Sequence, residues 1–365
     1  MPRRVVLTLL ACILCLPSLA AARTITDALG RTLEVPDSVE RFICSGPGCL
    51  RLATYLETQD RVVAVDDIEA RRRTFDARPY AMANPRFKTL PVFGEFRGHD
   101  HPERILALDP MPQVIFKTYH TMGTDPVELQ AKTGIPVITL NYGDLGPNRE
   151  ALYRSMRTMA EVLGASERCE AVLGFFDACI RDLDERTADI PEAARPLVYI
   201  GGVAHKGPHG YQSTEPSYPP FGFVNAKNAA AVDVAGKKLT HSDVAKEKIL
   251  EWDPDVLFLD LSTLQLGEGA GGLHELRTDP AYQALTAVIE GKVYGMLPYN
   301  WYTSNFDSVL ADAYAIGTIL YPERFRDVDP TTKADEIYVF LLGRPEFADM
   351  NAQFGGLAFQ PVPMR

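Results

Sequence analysis

The residues best suited to chemistry gather in stretches rich in Gly, Pro and Tyr. Five of the seven histidines, at positions 99, 101, 120, 205 and 209, fall there. Imidazole ligates divalent metals, so His99, His101, His120, His205 and His209 are the set that would hold a bare ion directly, although no fixed ligand spacing joins them. Arg97, in Phe96-Arg97-Gly98-His99-Asp100-His101, offers paired donors to a carboxylate or hydroxamate. Ser45-Gly46-Pro47-Gly48 precedes a helix start, where backbone N–H groups meet anions. Tyr119-His120, Asn141-Tyr142, the long run Ala204 to Thr214 and Asn300-Trp301-Tyr302 add loop aromatics, whose rings supply flat contact area and whose phenolic oxygens ligate Fe(III). The ligand-binding candidates are therefore Ser45, Gly46, Gly48, Arg97, His99, Tyr119, His120, Tyr142, His205, His209, Tyr211, Gln212, Asn300, Trp301 and Tyr302. Each has a plainer alternative: a solvated arginine, polar surface histidines, a tryptophan used for packing.

These loops need a scaffold, and the sequence supplies strands alternating with helices. Expected strands are Arg41 to Cys44, Val62 to Val65, Leu90 to Gly94, Val114 to Lys117 and Pro136 to Leu140, after a hairpin over Thr24 to Pro36. The alternation restarts with strands Leu197 to Ile200, Val256 to Leu261 and Lys292 to Met296, and with helices Asn225 to Ala231, Ser242 to Leu250, Ala281 to Ala287 and Asp307 to Leu320. Such alternation argues parallel, doubly wound sheets, whose ligands sit outside the carboxyl ends of the strands. Between the two halves, Glu167 to Thr187 carries Cys169, Val172, Leu173, Phe176, Cys179, Ile180 and Leu183 in steps of three and four, one apolar stripe on a rod about 30 Å long. The expected organisation is residues 1–22 leader, 23–148 first α/β lobe, 149–190 connecting helices with the rod at 167–187, 191–325 second α/β lobe and 326–365 helical tail.

Composition narrows the function. The chain has 365 residues, enough for two cores, and a net charge of −11, two units more negative once Arg3 and Arg4 depart with the leader. An acidic chain whose only basic cluster is Arg71-Arg72-Arg73 is a poor nucleic-acid binder. Residues 1–22 read as a secretory signal: a charged start, an apolar core from Val5 to Leu16 and a small-residue cleavage region. Leu9-Leu10-Ala11-Cys12 superficially resembles a lipid-attachment box but would cut that core in half. In the exported chain Cys44 and Cys49 flank a tight turn and could close a small disulfide loop or stay reduced, while Cys169 and Cys179, roughly 15 Å apart on the rod, read as core residues. There is no G-x-S-x-G elbow, no H-E-x-x-H and, beyond the leader, no C-x-x-C pair, so an exported metal-dependent hydrolase is the weaker expectation and no enzyme is inferred.

One internal echo is specific. Glu103-Arg104-Ile105-Leu106 runs through Asp109-Pro110 into Val114-Ile115-Phe116, and Glu247-Lys248-Ile249-Leu250 runs through Asp253-Pro254 into Val256-Leu257-Phe258. With the leader, the hairpin, Arg41 to Leu56 and the rod, these repeats resemble the class III periplasmic solute-binding proteins of ABC importers over residues 24 to 325. The resemblance implies a periplasmic monomer with no intrinsic cofactor. It would capture an iron complex of the siderophore, haem or corrinoid class between its lobes, with a bare metal ion or an oxyanion such as molybdate as the alternative. It also implies that Glu103 and Glu247 dock on the membrane permease, though a first-turn glutamate also simply complements the helix dipole, and that Arg97 sits where hydroxamate binders place a ligand-contacting arginine.

Overall fold

The computed structural model describes residues 22–71, 75–231, 233–234 and 237–364; residues 1–21 of the expected leader, with Cys12, lie outside them, as do Arg72 and Arg73. The first half builds a six-stranded sheet in the order His99–Asp100, Val92–Glu95, Val62–Asp66, Phe42–Ser45, Val114–Thr118, Val137–Leu140. All neighbours are parallel except the short antiparallel edge His99–Asp100. The Phe42–Ser45, Val114–Thr118 and Val137–Leu140 strands are buried at every position, as expected of parallel strands covered on both faces. The antiparallel hairpin Ala22–Thr26 and Thr32–Pro36 closes onto this lobe. Its turn is fixed by Asp27, which accepts from Leu29 N and Arg31 N, both at 3.0 Å, and from Thr139 Oγ1 at 2.6 Å.

The second half builds a four-stranded parallel sheet, Lys227–Asn228, Leu197–Gly201, Val256–Asp260, Val293–Met296. Three expectations fail here for local reasons. Asn225 to Ala231 is not a helix: Asn225 has φ 52° and the Asn228 side chain accepts from Ala230 N at 3.0 Å, a turn-forming bond that competes with helical pairing. Lys227–Asn228 instead becomes the sheet edge. The helix expected from Ser242 starts at Lys246, because Ser242–Asp243 pairs with Ser213–Thr214. Ala281 to Ala287 divides into Pro280–Gln283 and Thr286–Ile289, since Asp279 caps the first by accepting from Ala281 N at 2.9 Å and Asp253 takes Thr286 N at 2.9 Å and its hydroxyl at 2.6 Å.

Between the sheets runs one uninterrupted helix, Ser166–Thr187, preceded by Arg149–Leu163 and the left-handed Gly164 that ends it. Cys169, Val172, Leu173, Phe176, Cys179 and Leu183 are buried, so the apolar stripe faces inward as its spacing requires. Phe176 meets both lobes edge-on, with Tyr55 and Phe306 ring centroids each 6.1 Å away. The rod is not the lobes' sole tie. Helix Pro330–Leu342 of the tail packs along Phe306–Leu320 and also touches Cys49–Tyr55 and Pro79–Ala83 of the first lobe. Phe340 stacks on Phe175 of the rod at 4.1 Å, Gln353 Oε1 accepts from Asp76 N at 2.7 Å, and Val362 N donates to Val293 O at 2.8 Å on the second sheet.

Phe176→Ala removes the ring shared by the rod and both lobes and is expected to lower unfolding free energy by about 3–5 kcal/mol, checked by urea denaturation.

Candidate solute-binding site

The loops after the strand ends do meet, across the seam between the lobes. Asn300–Ser304 of the second lobe crosses it. Tyr302 donates its hydroxyl to Asp66 Oδ2 at 2.6 Å and accepts from Arg97 N at 3.1 Å. Tyr119 and Thr303 share a hydroxyl bond of 2.7 Å, and Tyr142 donates to Ser304 O at 2.7 Å. Beneath them lies Arg51, 0 % exposed. Its guanidinium donates to the Tyr142 hydroxyl, to Ser304 O at 2.7 Å, to Trp301 O at 3.3 Å and to Tyr302 O at 3.4 Å. Every one of these partners is neutral. Nε has no hydrogen-bond partner among the described residues. Burial disfavours the charge, but the surrounding phenols and Asp307 win and hold the Arg51 pKa above its usual value. Gly48, φ 74°, permits the close approach: a Cβ there would sit 2.2 Å from the Tyr142 ring and 2.7 Å from Thr303.

Several candidates serve this seam or the scaffold rather than an open surface. The Ser45 hydroxyl is internal; it donates to Asp100 Oδ1 at 2.7 Å and accepts from Lys117 Nζ at 3.1 Å. Lys117 spends its other donors on Asp100 Oδ2 at 2.7 Å and Gly98 O at 2.9 Å, which pins the Arg97–His99 turn. A Cβ at Gly98 would lie 2.6 Å from that ammonium. A Cβ at Gly46 would lie equally close to Thr118 O. Arg97 is exposed, its guanidinium 5.1 Å above Phe96. Tyr142 is buried, stacked between Tyr119 and Phe306.

Tyr211 is a correction: it is wholly buried in the second lobe, edge-on to Tyr199 and Tyr282, and does not line the seam. Gln212 is exposed and bonds Val244 O at 3.0 Å. Asn300 Nδ2 donates to Ala204 O at 2.7 Å, tying the residue before His205 to this loop, in which Trp301 is half-buried.

The histidines do not assemble as a metal set. His205 stacks on His241, centroids 4.0 Å apart and 18° from parallel, so their in-plane lone pairs run side by side and cannot converge on one ion. His209 Nε2 lies 2.8 Å from His205 O, an acceptor only, so that nitrogen carries a proton. His99 is exposed, His120 is half-buried, and His101 stands 3.9 Å from Glu95. Among the described residues no three His, Cys, Asp or Glu side chains are placed to share a metal. Cys44 and Cys49 are free, buried thiols rather than a disulfide. Burial first, then Cys49 beside it, push the Cys44 thiol well up, which withholds the thiolate that oxidation needs.

Sequence reasoning missed Arg51, Asp66, Lys117, Asn305 and His241. For Arg51 a signal existed: it is the lone charge in Cys49-Leu50-Arg51-Leu52-Ala53-Thr54-Tyr55, all of it buried.

Two α/β lobes, a continuous rod and a loop-lined seam define a two-lobed solute-binding protein. The chain belongs to the periplasmic binding protein family, whose profile matches residues 44–299. That membership makes it a binding protein rather than an enzyme, and no described helix is long and apolar enough to cross a membrane. The chain is 23% identical over 353 residues to the molybdate-binding protein MolA of Haemophilus influenzae, covering 90% of this chain and 94% of the relative. MolA's molybdate-bound structure aligns with a TM-score of 0.66 at 21% identity, covering 88% of this chain and 98% of MolA. A periplasmic solute-binding protein of Veillonella parvula aligns at 0.69 and 16% identity, over 93% and 97%. The haem-binding protein HutB of Vibrio cholerae aligns at 0.56 and 20%, over 78% and 100%.

Burial, then neighbouring Glu69, push the Asp66 carboxyl up to about 8. The folded chain thus keeps a proton there that the unfolded chain loses at about pH 4. The stability this group adds is fully present below about pH 4 and is lost as pH rises toward 8. Asp66→Asn should therefore flatten the fall of the thermal midpoint between pH 4 and 8; parallel profiles for the two proteins would place the proton elsewhere.

Proposed function

We propose that this chain is the solute-capturing component of an ABC importer and that its solute is a small oxyanion of the molybdate or tungstate kind. The observation that carries this reading is the seam itself: the lobes touch directly at its centre, through Tyr302 to Asp66, Tyr119 to Thr303 and Arg51 to Ser304, at 2.6 to 2.7 Å. A haem- or siderophore-sized solute lodged between the lobes here would have to break all three, whereas a compact four-oxygen anion need not. Arg51, hydrogen-bonded only to neutral groups and with the nearby Asp307 supporting its charge, places a guanidinium under the seam on the side an anion would approach. The similarity to a molybdate binder agrees in solute class. The iron-chelate expectation therefore gives way to the oxyanion alternative.

Glu103 and Glu247 are exposed, each in the first turn of the helix before a central strand of its lobe, Pro102–Leu106 and Lys246–Trp252. Their matched placement supports docking of both lobes on one permease. Of the two Ile-Leu pairs in these helices, Ile105 and Ile249 are buried, Leu250 is half-buried and Leu106 is exposed.

Native mass spectrometry of the purified protein with sodium molybdate is expected to show one oxyanion per chain. Co-purification with a stoichiometric iron chelate or haem, and no molybdate binding, would contradict the reading. The double change Glu103→Ala, Glu247→Ala is expected to abolish uptake in cells carrying the permease while leaving that binding intact.

A further inference from the structure

A solute enters between the lobes only when the contacts of Tyr302 with Asp66, Tyr119 with Thr303 and Arg51 with Ser304 part. The rod survives that movement because it is covalent chain. The tail is a non-covalent tie to the first lobe, so it must either yield or hold the lobes together.

Its attachments are unequal. On the second lobe Phe359 N donates to Gly295 O at 2.8 Å, Gly295 N to Gln360 O at 3.1 Å and Val362 N to Val293 O at 2.8 Å. Arg277 donates twice to Pro363 O, at 2.7 and 2.9 Å, and helix Pro330–Leu342 packs along Phe306–Leu320. On the first lobe that helix touches Cys49–Tyr55 and Pro79–Ala83. The rest of the joint, among the described residues, is Phe354 stacked on Phe75 with centroids 5.7 Å apart, Asp76 N donating to Gln353 Oε1 at 2.7 Å, and Gln353 Nε2 lying 3.4 Å from Met82 Sδ. Sheet bonds, a charged pair of donors and a long helix face outweigh one amide bond, one weak sulfur contact and one ring pair. The tail therefore travels with the second lobe, and the joint that gives lies along residues 75–83.

That first-lobe segment leads to the seam. Asp76 accepts from Arg78 Nε and Nη2, both at 2.8 Å, and Arg78 Nη1 donates to Glu69 Oε2 at 2.8 Å. Tyr80 donates its hydroxyl to Glu69 Oε1 at 2.5 Å, and all four side chains are buried. Breaking one link would leave a buried charge without its partner, so the block moves as one piece. The Tyr80 ring centroid lies 4.8 Å from the guanidinium carbon of Arg51, and Glu69 belongs to the short helix that follows Asp66, the acceptor of Tyr302. A displacement at Phe75 and Asp76 thus reaches both first-lobe partners of the seam.

We propose that the tail is a strap: Gln353 and Phe354 are positioning residues that hold the 75–80 block in place, and through it Arg51 and Asp66, so that the tail joint and the seam open together. The strap acts on lobe movement and is independent of which solute is carried.

The test is pulsed electron resonance on the ligand-free full chain with three pairs of spin labels at exposed positions. Lys88 with Val339 reports the joint, Lys132 with Glu290 the lobes, and Val339 with Glu290 the tail on the second lobe. Phe75→Ala with Gln353→Ala cuts the joint at two half-buried residues and leaves the sheet bonds of 359–362 untouched. The first two distributions should broaden toward longer distances while the third stays narrow, a pattern that a plain loss of stability does not produce. A broadened joint with an unchanged lobe pair would overturn the coupling. An unchanged joint, or a broadened Val339–Glu290 pair, would overturn the strap. Coupling is reciprocal, so Arg51→Lys should broaden the Lys88–Val339 pair, and a narrow one there would also contradict the proposal. Should the double variant not fold, Gln353→Ala alone, which removes a single amide bond, decides together with Arg51→Lys. Failure of molybdate to bind would end the oxyanion reading and leave these distances, and the strap, to be judged on their own.

Discussion

A buried guanidinium bonded to the backbone of the opposite lobe is the interaction on which the seam depends. Arg51 belongs to a short helix of the first lobe, yet three of its acceptors are carbonyls of the second. Hydrogen bonds to a charged group contribute roughly 1.5–3 kcal/mol each when well formed, and leaving such a charge buried without them costs several times more. The lobes therefore cannot part at this point without hydrating Arg51. The ring series Tyr119, Tyr142, Phe306, Phe176 and Tyr55 crosses the same seam and ties it to the rod.

The electrostatics away from Arg51 follow a different rule. In the second lobe Glu215 is buried and pushed up to about 7, and Asp260 to about 6, in both cases chiefly by burial. Their nearest bonds come from neutral donors, the Tyr299 hydroxyl for Glu215 and Ser262 N for Asp260. Such carboxyls avoid the cost of an isolated buried charge by holding a proton longer than usual. Apart from Asp66, the first lobe buries matched charges, Arg78 with Glu69 and Asp76, each at 2.8 Å, and Lys117 with Asp100. The buried cation at the seam is thus Arg51, with Asp307 near it, whereas the other buried arginine, Arg78, is paired with Glu69 and Asp76.

What could be read from sequence was what repeats locally. The rod announced itself because seven apolar residues at helical spacing leave no other way to bury them. Both Glu-Ile helices could be placed because an Asp-Pro stop and a buried strand follow each. Tyr211 defeated the same logic: a tyrosine in a polar, Gly-rich stretch looks exposed, but packing from Tyr199 and Tyr282, 12 and 71 positions away, puts it in the core. Arg51 and Ser304 are 253 residues apart, and no local pattern records that they meet. The tail was expected as helix, but not where it packs: its helices bury faces against partners on both lobes and its last residues extend the second sheet through Gly295 and Val293.

The most direct measurement of the seam is the distance between spin labels on the two lobes, at Lys132 and Glu290, both exposed, by pulsed electron resonance. In the ligand-free protein one narrow distribution is expected, staying narrow with molybdate and broadening in a protein carrying Arg51→Lys and Tyr302→Phe. A broad or two-peaked distribution in the unliganded wild type would show that the lobes are not held together as described.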